Sequence, residues 1–419
     1  MNNRVSAIAV SGTDVYVGGL FTQAGGSTAM FIALWNGNSW SVLGGANNKV
    51  YAVAVCGPDV YIGGGFTQVG GIPANHIARW DGSSWHALGS GVNNWVFAIA
   101  VSGSDVYLGG YFSEAGGIAA NRIARWDGSS WSALGVGLNN SVAVIAVSGS
   151  DVYVGGLFTN AGGENLADYI ACWDGSSWSS LGSGINMYVY AIAASGQDVY
   201  VGGEFTEAGG IAANRIARWD GSVWHALGSG VNQQVLAIAV SGSDVYVGGG
   251  FTQAGGNPAN YIARWDGSSW LSLGSGVWGA SYPFVQAVSV SGSSVYAGGG
   301  FTQAGGIPAN YIAHWVPEPT GIERPVEEAT PALYTAPNPT IAGTNISFQV
   351  SLPTPLTLSI YDTVGRLVRT QDLGTLPVGS HTHYWDGREG NGTALASGVY
   401  FVRLSSEEFQ ASTRVVLVR

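Results

Sequence analysis

The chain has 419 residues, enough for two or three domains with a sizeable core. It holds 66 glycines and only 10% charged residues, yet no run of about 18 apolar residues occurs, which excludes a membrane-spanning helix. The formal charge is −11, with 16 acids against 8 bases in residues 1–315 and 10 against 7 beyond. No basic stripe is present to neutralise phosphates, so nucleic-acid binding is excluded.

In chain order, Met1–Val10 aligns with Val92–Val101, so the sequence opens inside a repeat. It has no basic n-region, apolar h-region or cleavage site, and reads as a fragment of a longer reading frame rather than a chain trimmed of its leader. The repeat is marked by Phe21, Phe66, Phe112, Phe158, Phe205, Phe251 and Phe301, spaced 45, 46, 46, 47, 46 and 50 residues apart. Trp35, Trp80, Trp126, Trp173, Trp219, Trp265 and Trp315 follow at the same period. A period near 46 residues is the mark of a solenoid, propeller or array.

Each unit reads as four short strands. In the third they are Val96–Val101, Asp105–Gly109, Arg122–Trp126 and Ser130–Leu134, rich in β-branched and aromatic residues and broken by Gly, Ser, Asn and Asp. Ser102-Gly103-Ser104-Asp105 and Asp127-Gly128-Ser129-Ser130 are hairpin turns. Gly109-Gly110 ends the second strand where a missing Cβ permits close packing between blades, and Trp126 and Trp131 flank a tight turn and pack between sheets. The expectation is an all-β chain: a seven-bladed β-propeller over residues 1–315, then a small antiparallel β-sandwich.

The order Val-Tyr-Val-Gly-Gly, Trp-Asp, Trp resembles the kelch repeat. The longer string Gly-Gly-x-Phe-Thr-x-Ala-Gly-Gly … Ile-Ala-Arg-Trp-Asp-Gly-Ser-Ser-Trp … Leu-Gly-Ser-Gly is similar to the propeller of fungal cortical cell-polarity markers and to bacterial surface repeats. Asn36 departs from the turn Asp, and Leu34, Cys172 and His314 depart from the Arg, which argues against a shared role for that Arg beyond packing. The seventh unit stops at Tyr311-Ile312-Ala313-His314-Trp315, so its blade is expected to lack a fourth strand and to expose an edge; residues upstream of Met1 of the pattern Ser-Trp-x-x-Leu-Gly would supply it. Cys56 and Cys172 occupy different phases of two repeats, so no disulfide is expected.

Residues 316–332 are rich in Pro and Glu and read as a semi-extended linker. Residues 333–419 follow, with Ala336-Pro337-Asn338-Pro339, Ile360-Tyr361-Asp362 … Gly365-Arg366, Trp385-Asp386-Gly387, Gly398-Val399-Tyr400 and the tail Val415–Arg419 in order. This pattern resembles the type IX secretion C-terminal sorting domain and the immunoglobulin-like domain of the flagellar hook-capping protein. The resemblance implies an immunoglobulin-like β-sandwich and a Gram-negative exported protein, secreted or held at the outer surface, whose residues 333–419 engage a type IX-like secretion machinery.

Catalysis finds little support. His381 and His383 share a strand, His86 and His225 share one repeat phase, and none of the six histidines has the spacing of a zinc site, so no metal or other cofactor is expected. The aspartates Asp81, Asp127, Asp174, Asp220 and Asp266 recur once per unit as turn formers, whereas a catalytic constellation should break the repeat. Variation within the repeat instead falls just before the innermost strand (Arg4, Lys49, Trp95, Ser141, Tyr188, Gln234, Phe284) and two places later (Ser6, Tyr51, Phe97, Ala143, Tyr190, Leu236, Gln286).

The candidate ligand-binding residues at the propeller mouth are Lys49, Tyr51, Trp95, Phe97, Tyr188, Tyr190, Phe284 and, from the longest loop, Trp278 and Tyr282. Aromatic groups mixed with polar ones round a concave opening suit sugar rings or a peptide. The sequence is therefore read as a non-enzymatic surface binding module with a glycan or protein ligand. The alternatives are a surface-layer or sheath subunit and a propeller-borne lyase or oxidase.

Overall fold

The computed structural model describes residues 1–163, 167–280, 282–316, 333–336, 338–341, 343–350, 354–377, 379–406 and 410–418. They form strands and turns with no helix among them. The chain divides into two compact units, Met1–Glu318 and Pro319–Arg419. Residues 317–332, most of the segment assigned as a linker, lie outside the described residues.

The first unit is a seven-bladed β-propeller. Six sheets have four antiparallel strands and the last has three. In the third blade the strands are Val96–Ser102, Asp105–Gly110, Ile123–Trp126 and Trp131–Ala133, in that order from the channel outward. Phe21, Phe66, Phe112, Phe158, Phe205, Phe251 and Phe301, the landmarks of the repeat, are fully buried.

Adjacent blades meet through one repeated contact. The first glycine of each Gly-Gly pair faces a valine on the next blade's inner strand: Gly18 faces Val50, Gly63 Val96, Gly109 Val142, Gly155 Val189, Gly202 Val235 and Gly248 Val285. The series closes on itself, because Gly298 of the last blade faces Val5 of the first. A Cβ at Gly18 would lie 2.6 Å from Val50 Cγ1, closer than non-bonded carbons approach. Farther out, the fourth-strand tryptophan crosses to the preceding blade: the indole N–H of Trp131 donates to Leu88 O at 3.0 Å, Trp178 to Leu134 O at 3.0 Å, Trp224 to Leu181 O at 2.8 Å and Trp270 to Leu227 O at 2.9 Å.

Three details differ from the sequence reading. Arg122 is not in the third strand; it stands just before it with φ of 68°. Beyond the four strands read from each unit, the second-to-third connection of the third blade carries a short hairpin, Glu114–Ala115 with Ile118–Ala119. The repeated Arg does more than pack: Arg79, Arg125, Arg218 and Arg264 form ion pairs of 3.0 to 3.5 Å with Asp59, Asp105, Asp198 and Asp244 at the start of the neighbouring strand. Cys172, in an Arg place, is buried, and burial pushes its thiol up to about 12. Both cysteines are free.

The outer turns are held by their aspartates. Asp127 Oδ1 accepts from the amides of Ser129 and Ser130, each at 2.8 Å, and from Ser129 Oγ at 2.8 Å, while Oδ2 accepts from Ser130 Oγ at 2.8 Å. These bonds favour the ionised form, so the carboxyl sits well below its usual range. Asp81, Asp174, Asp220 and Asp266 are lowered in the same way, with His86 adding to the effect at Asp81 and His225 leading it at Asp220. Asn36 makes the same turn without a charge, accepting from Asn38 N at 3.0 Å and Ser39 N at 2.9 Å.

The seventh blade has strands Val285–Ser291, Ser294–Gly299 and Ile312–Trp315, and no fourth strand among the described residues. Its inner strand nevertheless packs against Val5–Ser11, so the ring is complete at the channel and open only at the rim.

The second unit is a two-sheet sandwich. One sheet pairs Tyr334–Ala336, Thr344–Val350 and Gly379–Trp385; the other orders Leu367–Leu376, Thr354–Tyr361, Gly398–Ser405 and Gln410–Leu417. Ile346, Phe348, Leu358, Ile360, Trp385, Val402 and Val415 fill the space between them. The sequence motifs are structural joints here. Asn338 pins the terminal strand, donating to Arg414 O at 2.8 Å and accepting from Val416 N at 2.8 Å. Asp362 accepts from Arg366 N at 2.9 Å and its Oδ2 from Arg366 Nε at 3.0 Å, and Asp386 pairs with Arg369 at 2.9 Å.

Gly109→Ala should destabilise the propeller by about 1–3 kcal/mol, because neither Val142 nor the blade can retreat without loss of packing; chemical denaturation measures it. The turn aspartates have depressed folded-state pKa values, so the stability they contribute is fully present above about pH 4 and declines as pH falls below that. Thermal midpoints taken from pH 6 down to pH 2 should drop, and replacing all five with Asn, as at Asn36, should flatten that drop.

Candidate ligand-binding mouth of the propeller

The variable positions meet on one face because of how each inner strand enters its sheet. The carbonyl of the residue before the strand accepts the amide of the residue after Gly-Gly: Leu20 N to Arg4 O, Gly65 N to Lys49 O, Tyr111 N to Trp95 O and Glu204 N to Tyr188 O, at 2.9 to 3.0 Å. The pairing then shifts by one residue. Val96 faces Gly110 and Ala98 faces Gly109, leaving Phe97 as an unpaired bulge. The same shift recurs in every blade and leaves out Ser6, Tyr51, Ala143, Tyr190, Leu236 and Gln286 in turn. A bulge breaks the alternation of side chains and re-aims one of them. Here it turns seven unlike residues toward the axis.

Those residues line the channel opening, a cavity of about 450 Å³ bordered by Arg4, Ser6, Tyr51, Phe97, Ala143, Tyr190, Leu236, Phe284 and Gln286, with Val5 and Leu20. Tyr51, Phe97, Ala143, Tyr190 and Leu236 also border a second cavity of about 190 Å³ among the following alanines and valines of the inner strands. They form the waist of the channel.

Aromatic groups gather on two sides. Tyr51, Trp95 and Phe97 form a triangle with ring centroids 5.6 to 6.2 Å apart. Opposite in the repeat order, Tyr188 lies between Tyr169, at 5.6 Å, and Tyr190, at 6.4 Å. Tyr190 donates its hydroxyl to Glu204 Oε1 at 3.2 Å; burial first, then Glu204, push its pKa up to about 12. Arg4 lies over the Phe284 ring at 5.7 Å.

A third circle stands outside these. Phe31, His76, Arg122, Tyr169, Arg215, Tyr261 and Tyr311, each half-buried, occupy the left-handed region with φ between 62° and 69°. Bulky residues rarely adopt that conformation, and where they do the surrounding structure must hold them. Arg122 shows how: it donates to Tyr111 O at 3.0 Å and lies 4.4 Å from the Tyr111 ring centroid.

Of the residues chosen from sequence, Tyr51, Phe97, Tyr190 and Phe284 line the cavity, and Trp95 and Tyr188 flank it through ring contacts. Lys49 is exposed at the rim. Trp278 and Tyr282 do not line it: Trp278 pairs with Gln303 on a peripheral hairpin, and Tyr282 is 87% exposed. Sequence reasoning passed over Tyr111, Glu204, Arg122 and Tyr169. For Tyr111 and Glu204 a signal was available, since the residue after Gly-Gly runs Leu20, Gly65, Tyr111, Leu157, Glu204, Gly250 and Gly300 and so also varies between blades.

With the geometry in place, known proteins can be compared. A family model described as the FlgD Ig-like domain matches residues 338–408, within the sandwich. The basal-body rod modification protein FlgD of Salmonella typhimurium is 39% identical over 62 residues, 14% of this chain. The chain spans 27% of that relative's length. Among solved structures, PorZ of Porphyromonas gingivalis, described as an essential bacterial surface component of the type-IX secretion system, is 16% identical. It aligns over all of this chain and 60% of its own, with a TM-score of 0.45. The propeller domain of the Trilobed protease from Pyrococcus furiosus, described as having an open velcro topology, is 11% identical over 76% of this chain and 97% of its own, with a TM-score of 0.47. The C-terminal unit thus contains a match to the FlgD Ig-like domain over residues 338–408, and the propeller assignment of the first unit stands on its own sheet order.

Gly300 sits under Phe284, whose ring lies 2.5 Å from where a Cβ would stand. Gly300→Ala should therefore displace Phe284 and release Arg4 without unfolding the blade, a change visible as shifted aromatic resonances with a thermal midpoint within a few degrees of the parent.

Proposed function

We propose that this chain is an exported binding module, with the propeller mouth as its recognition site and the sandwich as a type IX-like sorting domain that brings it to the outer surface of a Gram-negative cell. The observation that carries the first half is the bulge repeated in every blade at a position where the blades differ. A bulge at a monotonous position would only bend a strand; at this one it delivers Tyr51, Phe97, Tyr190 and Gln286 to a common opening. Flat aromatic faces beside Arg4, Ser6, Gln286 and Glu204 suit the apolar face and hydroxyls of a sugar ring, with a peptide as the other fitting ligand.

The reading gives the propeller no catalytic step. Most acids that recur through the repeat are committed to their own turns, as at Asp127, or to cross-strand arginines, as at Asp105; Asp14 and Asp151 differ, since Leu34 and Cys172 stand in the Arg place of their blades. The sorting half rests on the ordered motifs Ile-Tyr-Asp-x-x-Gly-Arg, Trp-Asp-Gly and Gly-Val-Tyr, together with the match to the FlgD Ig-like domain.

A glycan array probed with the propeller tests the recognition site. A hit should weaken about tenfold with Trp95→Ala and again with Tyr188→Ala, since truncating a central aromatic anchor costs more than about 1 kcal/mol. An array without hits, or hits indifferent to both changes, rejects the mouth as a sugar site. Deleting residues 333–419 in a type IX-competent host should leave the propeller in the periplasm, as fractionation would show.

A further inference from the structure

Among the described residues, the rim of the propeller is interrupted at the seam between the seventh and first blades, and three partners found in the other blades are not seen there. In each of the other six blades the third-strand tryptophan packs on the fourth-strand tryptophan, as Trp35 does on Trp40 at 5.4 Å and Trp126 on Trp131 at 5.2 Å. Trp315 has no such partner among the described residues. Fourth-strand indoles donate to a leucine carbonyl at the end of the preceding blade's fourth strand, as Trp131 does to Leu88. Trp40 has no acceptor of this kind among the described residues. The outer edge of Ile312–Trp315 pairs with no strand there, whereas its counterpart Ile123–Trp126 pairs with Trp131–Ala133. Between these groups lies an apolar cavity of about 240 Å³, walled by Trp35 and Trp40 on one side and Tyr296, Ile312 and His314 on the other.

These vacancies describe one object. We propose that the seam is an acceptor for a single added β-strand: an extended peptide segment of the pattern Ser-Ser-Trp-x-x-Leu-Gly, running antiparallel to Ile312–Trp315. The register follows from the complete blades, where Trp126 faces Trp131 and Ala124 faces Ala133. The incoming tryptophan would face Trp315 on the side of the sixth blade, and the residue two places later would face Ala313. The leucine would enter the cavity as Leu88 packs beside Trp126 and Trp131, and its carbonyl would receive the Trp40 indole. Direction is fixed as well. Met1 N donates to Asn310 O at 3.3 Å, as Val92 N does to Asn75 O at 3.2 Å, so residue 1 holds the place that follows a fourth strand, and the segment's Leu-Gly end meets it. Backbone bonds to an open edge supply affinity, and the tryptophan and leucine supply selectivity.

The test uses a synthetic peptide with the sequence of residues 127–137, Asp-Gly-Ser-Ser-Trp-Ser-Ala-Leu-Gly-Val-Gly, added to the full chain. Calorimetry should show saturable one-to-one binding, and hydrogen exchange should slow at Ile312–Trp315. The same peptide with Trp131→Ala should bind at least about tenfold more weakly. Equal binding of the two peptides, or binding without protection of that edge, overturns the proposal. So does an edge already protected before peptide is added, whether by another part of the chain or by a second copy in a concentration-dependent dimer.

Discussion

Blades pack at the distance set by a missing side chain. Each Gly-Gly pair ends the second strand, and its first glycine leaves room for a valine methyl from the next inner strand. Seven such contacts, the last from Gly298 to Val5, close the ring. Close approach at the axis and wide spacing at the rim are the two ends of one wedge. Glycine and valine hold the narrow end, and paired tryptophans hold the broad one. The burial of one phenylalanine per blade follows from that wedge, as does the mouth, because inner strands brought this close leave a channel that a few side chains can fill.

The recognition surface is built by irregularities laid over this regular frame. A one-residue bulge in each inner strand turns Tyr51, Phe97 and Tyr190 toward the axis instead of into a neighbouring sheet. A left-handed residue before each third strand lifts Arg122 or Tyr169 against the outer side of the same collar. Both features cost backbone free energy, and the repeated frame supports them identically in every blade, so their side chains can vary without altering the fold. That separation of scaffold from surface lets near-copied units present unlike groups.

The rim works by a different logic. The turn aspartates and cross-strand arginines there are spent on their own blades. Closure at the axis does not depend on closure at the rim: with three strands among its described residues, the seventh blade still packs its inner strand against Val5–Ser11.

Sequence alone determined the repeat, its four strands, the hairpin turns and a seventh blade that shows three strands among the described residues. Each of these follows from local rules: a period near 46 residues, alternation within strands, and Gly, Asp and Ser at turns. It also identified Tyr51, Phe97, Tyr190 and Phe284, since departures from a repeat are visible in one dimension. The tertiary structure decided the rest. Register shifts between paired strands carry no residue signature, so the bulges were hidden. Left-handed geometry at Phe31, Arg122 and Tyr261 defies local preference and exists only because neighbours hold it. Trp278 and Tyr282 looked like mouth residues because their loop is long, yet neither borders the cavity: Trp278 pairs with Gln303, and Tyr282 is 87% exposed. Spacing along a chain reports which residues differ, and only packing reports where they point.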